Sequence, residues 1–445
     1  MAIPHTCSAA VDPHPGFSSP ARSAGSASGS LGAWSEPAGL DGQVSFPSEN
    51  LERPCVPWQC PPVRIDSDFH GGSIEVLDAS DPANIRLALQ ADEGTSFRQW
   101  FCFRVTGGEG VPCRFVIENA GDAAFPDAFE SYRACSSSEP DDEHSWVRVP
   151  TSLEEGALVI EDTPDEDEVL YAYFAPYSER RHALLIEAAA AGAEVEILGQ
   201  SVEGRDITLL VFGEETEGRA RVWITARQHP GETMAEWFAE GLVQRLLEDD
   251  EDDAILQDLR DRATIYVVPC MCPDGAARGQ HRFNAKGMNL NRAWQSPTEE
   301  ESPEVLCVRK RMEQTGVDVF LDIHGDERLP FCFAVGCEGN PSYDDRIDAL
   351  EDLFMESLIG FDEDFQRQEG YENDAPGEGD LTSASNWVGE TFGCLSLTIE
   401  MPFTENANLP DDRRGWSPTE SKDLGAQSLS SIAVCLDDIL RHRAD

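Results

Sequence analysis

Six apolar, β-branched runs in the second half of the chain, at residues 194–198, 206–212, 221–226, 263–268, 317–323 and 395–400, constrain the fold most. Helical patterns fall between several of them. Trp237, Phe238, Leu242 and Leu246 make one stripe, and Leu306 and Met312 with their neighbours suggest another before Val317. Alternation of this kind predicts an α/β domain with a doubly wound, mostly parallel (mixed) sheet buried on both sides. Sites in such sheets lie beyond the carboxyl ends of the strands. His229, His324 and Glu400 each follow an apolar run, which places three distant residues on one edge.

The preceding segment, residues 63–180, reads differently. Ile74-Val76, Phe101-Phe103-Val105, Phe115-Ile117, Val147-Val149 and Leu170 to Phe174 alternate apolar with polar positions, and Gly71-Gly72, Gly107-Gly108, Gly121-Asp122 and Thr163-Pro164-Asp165 supply reversals. A small antiparallel β-sandwich is the expected architecture. A helix from about Ser178 to Ala190 should lead into a second domain spanning residues 181–445. Residues 1–62 are rich in Gly, Ser, Pro and Ala without periodicity and are expected to be disordered. Patterned sequence starts abruptly at Val63, and no Met lies between Met1 and Met234, so the native start is expected near Val63.

At 445 residues the chain exceeds what one core usually serves, and its 40% hydrophobic content suffices for two. No apolar run is long enough to span a bilayer. Acidic residues number 84 against 33 basic, for a formal net charge of −51, and only Lys286, Lys310 and Lys422 are lysines. Such a surface repels phosphates, which argues against a nucleic-acid partner and suits a halophile-like protein working in screening electrolyte. The run from Glu248 to Asp253 reads as a solvated face. Thirteen cysteines without paired C-x-x-C spacing read as ordinary reduced thiols. With no basic and apolar leader, the cytoplasm is the expected compartment.

The chemistry collects where the runs end. His229-Pro230-Gly231-Glu232 follows the run at 221–226, and its turn lets Glu232 return to the point His229 occupies. Zinc accepts imidazole nitrogen and carboxylate oxygen alike, so the pair is half of a metal site. His-x-x-Glu by itself is unspecific. His324, within Asp322-Ile323-His324-Gly325, supplies a third ligand and leaves a fourth position for water. Asp322 either orients a ligand imidazole or is a capped strand-end carboxylate. On the last run Ser396, Thr398 and Glu400 share a face, and Glu400 at its end suits a general base. Arg282 could stabilise an oxyanion, and Asn291 beside Arg292 could hold a terminal carboxylate through charge-assisted hydrogen bonds.

H-P-G-E, P-D-G at 273–275, the Arg282 segment, N-L-N-R-x-W at 289–294, D-I-H-G and T-I-E, in this order, resemble the zinc carboxypeptidases of the carboxypeptidase A type. The likeness is closest to the cytosolic carboxypeptidase branch, whose β-sandwich precedes the catalytic domain and whose junction Tyr173-Phe174-Ala175-Pro176-Tyr177-Ser178 resembles. It covers residues 63 to about 440. The resemblance implies one zinc ion per chain on His229, Glu232 and His324, Glu400 as catalytic glutamate, Arg282 polarising the carbonyl, and Asn291 with Arg292 clamping the C-terminal carboxylate of a peptide or protein. Tyr371 is its candidate for the family's tyrosine. Asn289 stands where many relatives carry an aspartate; an amide accepts the same hydrogen bond without the charge. No Lys or Arg occurs from Gln368 through Asp412, so removal of glutamate is not the expected specificity. Deacylation of small N-acyl amino acids would use the same metal and glutamate and is the alternative activity; a peptide-binding protein without catalysis is a third.

Overall fold

The computed structural model describes residues 63–248 and 252–442. The expectations for residues 1–62, and for the middle of the acidic run after Glu248, lie outside the described residues. Two five-stranded sheets form the first part of the chain. One runs Arg64–Asp66, Cys102–Thr106, Glu168–Ala172, Cys135–Ser137, Val147–Arg148, and the other Glu75–Asp78, Ile85–Ala88, Cys113–Ile117, Ala157–Asp162, Thr151–Glu154. Their facing sides meet through aromatic rings: Phe115 lies 5.5 Å from Phe103 and 4.9 Å from Tyr171. Burial of such rings is the main stabilising term of a small sandwich. One ladder, Ile85–Ala88 with Cys113–Ile117, is parallel within this otherwise antiparallel pair of sheets. The reason is topological. Cys102–Thr106 intervenes in the facing sheet and carries the chain back to the same end.

The link to the second part is core. Tyr173, Phe174, Ala175 and Tyr177 are buried, Tyr173 stacks on Phe403 at 4.8 Å, and the Ala175 carbonyl accepts from Thr233 Oγ1 and Trp237 Nε1. Ser178 then caps helix Glu179–Ala189 by accepting from the Arg181 amide.

A seven-stranded mixed sheet follows, in the order Glu194–Gln200, Asp206–Phe212, Ala263–Val268, Ala220–Ala226, Val319–Asp326, Leu395–Pro402, Phe333–Val335. The four central strands are parallel and the outer ladders antiparallel. On one face, helices Met234–Leu247 and Pro418–His442 cross closely: a Cβ on Gly241 would lie 2.1 Å from the Lys422 carbonyl oxygen, and one on Gly425 2.1 Å from that of Phe238. On the other face, helix Pro303–Thr315 buries Val305, Val308 and Met312, with Leu306 only partly covered, and Ala384–Phe392 packs beside it. Met312 of the expected stripe is buried, and Val305 takes the buried place expected of its neighbour Leu306. Among the described residues no helix is long and apolar enough to cross a membrane, and ten cysteines are free thiols.

Candidate active site

The backbone breaks sharply where strand Ala220–Ala226 ends. Arg227 takes a left-handed conformation, φ 57°, which costs a non-glycine residue energy unless its surroundings enforce it. They do so here. Its buried guanidinium pairs with Glu236 at 2.6 Å and donates to the Pro230 carbonyl at 2.9 Å. Gly231 closes the turn beneath His281, whose Nδ1 would lie 2.4 Å from a Cβ there. Glu232 falls two residues before the helix begins at Met234. His324 arrives on Val319–Asp326 and Glu400 on the neighbouring strand, where they are register partners. That strand runs on to Pro402, so Glu400 is not its last residue.

His229, Glu232 and His324 converge, with ligand atoms within 4.8 Å of one another and all three residues buried. Nδ1 of His229 lies 2.7 Å from Glu232 Oε1, and Nδ1 of His324 lies 2.7 Å from Glu232 Oε2. The outer nitrogens face acceptors: His229 Nε2 is 3.0 Å from Asn289 Oδ1 and His324 Nε2 is 2.9 Å from Asp322 Oδ2. Those acceptors hold a proton on each Nε2, so in the neutral rings both Nδ1 lone pairs are aimed at one carboxylate. Three acceptor groups with no donor between them fit a divalent cation of zinc's ligand preference.

Asp322 is thereby found orienting an imidazole. Its carboxylate is fully buried and also accepts from Thr225 Oγ1 at 2.8 Å and Gln228 Nε2 at 2.6 Å. Trp294 Nε1 in turn donates to Gln228 Oε1 at 2.8 Å. Burial opposes charge on His324, but the Asp322 and Glu232 carboxylates outweigh it and raise its pKa well above the usual range, so a cation would displace the Nδ1 proton in binding there. For His229 burial prevails and lowers it.

Glu400 is buried, and its Oε2 has no hydrogen-bond partner among the described residues. Burial, reinforced by Glu232, Asp326 and Glu327, raises its pKa well above the ordinary carboxyl value, against the opposing pull of His324. The unpartnered oxygen leaves the ionised group free to accept a proton, as a general base requires.

The expected substrate residues lie around the same cavity of about 370 Å³, which Arg282, Asn291, Arg292 and Tyr371 line with Glu400 and the three candidate ligands. Asn291 Oδ1 accepts the Ala384 amide at 2.8 Å, while its Nδ2 is 3.2 Å from His324 Nε2. Because that nitrogen's proton is committed to Asp322, the Asn291 amide keeps its own hydrogens for another acceptor. Arg292 lies 3.6 Å from Asp380 and is half exposed. Tyr371 stands at the rim with its hydroxyl donating to Asp326 and 3.5 Å from Glu400 Oε1. Further along the wall, Glu338, Glu372, Asp374 and Asp380 add carboxylates.

Residues 65–174 match the family described as the cytosolic carboxypeptidase N-terminal domain, and residues 185–422 match that described as zinc carboxypeptidase. An uncharacterised protein of Zymomonas mobilis is 42% identical over 379 residues, covering 85% of this chain and 97% of its own. Human cytosolic carboxypeptidase 1 is 24% identical over 331 residues, 63% of this chain and 27% of that protein. Among solved structures, a metallo-carboxypeptidase of Pseudomonas aeruginosa in complex with (2-guanidinoethylmercapto)succinic acid is 46% identical, with a TM-score of 0.81 over 84% of this chain and all of its own. A putative carboxypeptidase A of Shewanella denitrificans gives 45% and 0.81 over 84% and 99%. The chain belongs to the zinc carboxypeptidase family, in which it also carries the cytosolic carboxypeptidase N-terminal domain.

Proposed function

We propose that this chain removes single residues from the C-termini of peptides or proteins, with one zinc ion held by His229, Glu232 and His324. The observation that carries the reading is the buried, half-unpartnered Glu400 beside three converging acceptor groups. Zinc, when bound, would polarise the scissile carbonyl and ease deprotonation of water. Glu400 takes a proton from the attacking water and returns it to the departing amine, a role supported by its unpartnered oxygen and its place in the cavity beside the three candidate ligands. Arg282 offers a guanidinium to the oxyanion that forms on the carbonyl oxygen. Arg292 and the Asn291 amide bind the terminal carboxylate, which restricts cleavage to the last peptide bond. Tyr371 closes the rim over the substrate end. Family membership does not favour the deacylase alternative. The acidic surface supports work in concentrated electrolyte, and the naming of the cytosolic relatives supports a cytoplasmic location.

The test is mass analysis of zinc-loaded protein in high salt with peptides of varied C-termini and with N-acyl amino acids, alongside Glu400→Gln. Stepwise loss of single C-terminal residues is expected, with turnover in the variant reduced by about 10²-fold or more. Turnover of acyl amino acids alone would overturn the reading, as would a fully active variant.

A further inference from the structure

We propose that Asp92, in the β-sandwich, is a positioning residue for Arg282, so that the N-terminal part of the chain sets the geometry of the oxyanion site; the inference rests on the carboxypeptidase reading above. Arg282 lies in a stretch without helix or strand, between helix Pro273–Arg278 and the turn at Leu290–Arg292. Its backbone therefore has no ladder to fix it. Three consecutive amides instead converge on one carboxylate: His281 N donates to Asp92 Oδ1 at 2.8 Å, and Arg282 N and Phe283 N donate to Oδ2 at 2.7 and 3.1 Å. Asp92 is 4% exposed. Hydrogen bonds from backbone amides to a buried carboxylate are charge-assisted, and stronger than neutral ones.

The loop that presents Asp92 is itself locked. Asp92 N donates to the Phe97 carbonyl at 2.7 Å, and the Asp92 carbonyl accepts from Thr95 N and Oγ1 at 3.0 and 2.9 Å. From the same loop the Phe97 ring stacks on His281 at 5.9 Å and meets Phe283 edge-on at 5.5 Å, and the Arg282 guanidinium carbon is 5.9 Å from its centroid. One loop thus holds both the backbone and the flanking side chains of Arg282. A second tie runs from the other side, where His281 Nε2 lies 2.6 Å from Glu327, a residue of the cavity wall. A guanidinium on a long, flexible stem is effective toward a developing charge only when its base is fixed. Simple adhesion between the two parts would also bury Asp92, and the measurement below separates the two roles.

Full-length, zinc-loaded protein is titrated calorimetrically with a peptide phosphonate, which carries the tetrahedral oxyanion, and with the matched uncleaved peptide on a Glu400→Gln background. Asp92→Ala should weaken the phosphonate by about 10- to 100-fold and the peptide by less than about threefold. In Arg282→Ala protein the same change should cost the phosphonate almost nothing further, because the residue it positions is gone. Equal weakening of both ligands, losses that multiply in the double variant, or phosphonate affinity retained in Asp92→Ala would each overturn the proposal. Binding of neither ligand by protein that keeps both Asp92 and Arg282 would instead overturn the carboxypeptidase reading. If Asp92→Ala does not fold, Phe97→Leu, which removes the ring beneath the segment, should show the same split between the two ligands.

Discussion

Asp322 offers a substitution that separates hydrogen bonding from charge. Three donors converge on its buried carboxylate, with Gln228 and His324 on Oδ2 and Thr225 on Oδ1. Asparagine can place its oxygen where Oδ2 lies and keep the first two bonds. Its NH₂ then faces Thr225, whose hydroxyl can rotate from donor to acceptor. Asp322→Asn should therefore cost the apoprotein less than Asp322→Ala does, since the Gln228 and His324 donors keep their acceptor. It should still weaken zinc binding by about 10- to 100-fold, because His324 loses the anion that enhances its basicity. Asp322→Ala strands the Gln228 and His324 donors, and Gln228 cannot turn without breaking its bond to Trp294. At about 1–3 kcal/mol for each stranded group, the loss is roughly 2–6 kcal/mol, a large share of a domain's stability. Denaturant unfolding of the apoproteins and competition for zinc against a chromogenic chelator, at fixed pH and salt, give both quantities. Equal stability of the two variants, or wild-type zinc affinity in Asp322→Asn, would refute the reasoning.

Other consequences are open to direct measurement. With Glu338, Glu372, Asp374 and Asp380 on the cavity wall, peptides ending in Lys or Arg should exceed those ending in Glu in kcat/KM by at least about tenfold at low salt, a gap that Glu338→Gln should narrow. Equal rates for the two termini would discard the wall as a selector. Burial and the neighbouring Glu338 push Glu351 from 4.5 up to about 8. The folded protein then holds a proton that the unfolded chain releases, so this group's contribution to stability falls as pH rises from 4.5 to about 8 and is level above. Glu351→Gln should remove that slope and raise Tm relative to wild type above about pH 8; parallel Tm profiles would contradict it. A Cβ at position 231 would lie 2.9 Å from the His281 Cα, so Gly231→Ala should cost about 1–3 kcal/mol and weaken zinc binding, as denaturation and chelator competition would register.

The site was legible where short-range pattern and chemistry coincide. The strands at 206–212 and 263–268 have the bounds that their apolar runs predict, and the other four differ at one or both ends. The H-P-G-E turn and His324 announced themselves because few residue types bind zinc, and the structure brings them together. Asp322 stayed ambiguous in sequence because a strand-end carboxylate has two common uses; only the 2.9 Å approach to His324 decides between them. Gln228, His281 and Asp92 gave no signal at all. Each acts through a contact across many residues, such as the 190 between Asp92 and Arg282, and loop residues of that kind carry no periodicity. The near-even burial of helix Met234–Leu247 goes beyond the stripe of Trp237, Phe238, Leu242 and Leu246, because Arg227 and Arg181 pair with the buried Glu236 and Glu240.

The buried junction from Tyr173 to Tyr177 bears on how this molecule comes apart. Where two parts of a chain meet through a polar linker, each can melt separately. Here the connecting residues are themselves interior: Tyr173 lies against Phe403, close to the end of the last strand, and Thr233 and Trp237 hang from the Ala175 carbonyl. Loosening the sandwich therefore strips cover from the helix that follows the H-P-G-E turn. Heat or denaturant should produce one cooperative transition, and a fragment beginning at residue 181 would expose an aromatic surface with nothing to pack against it. The place where the sequence changes character is not a place where the protein can be cut.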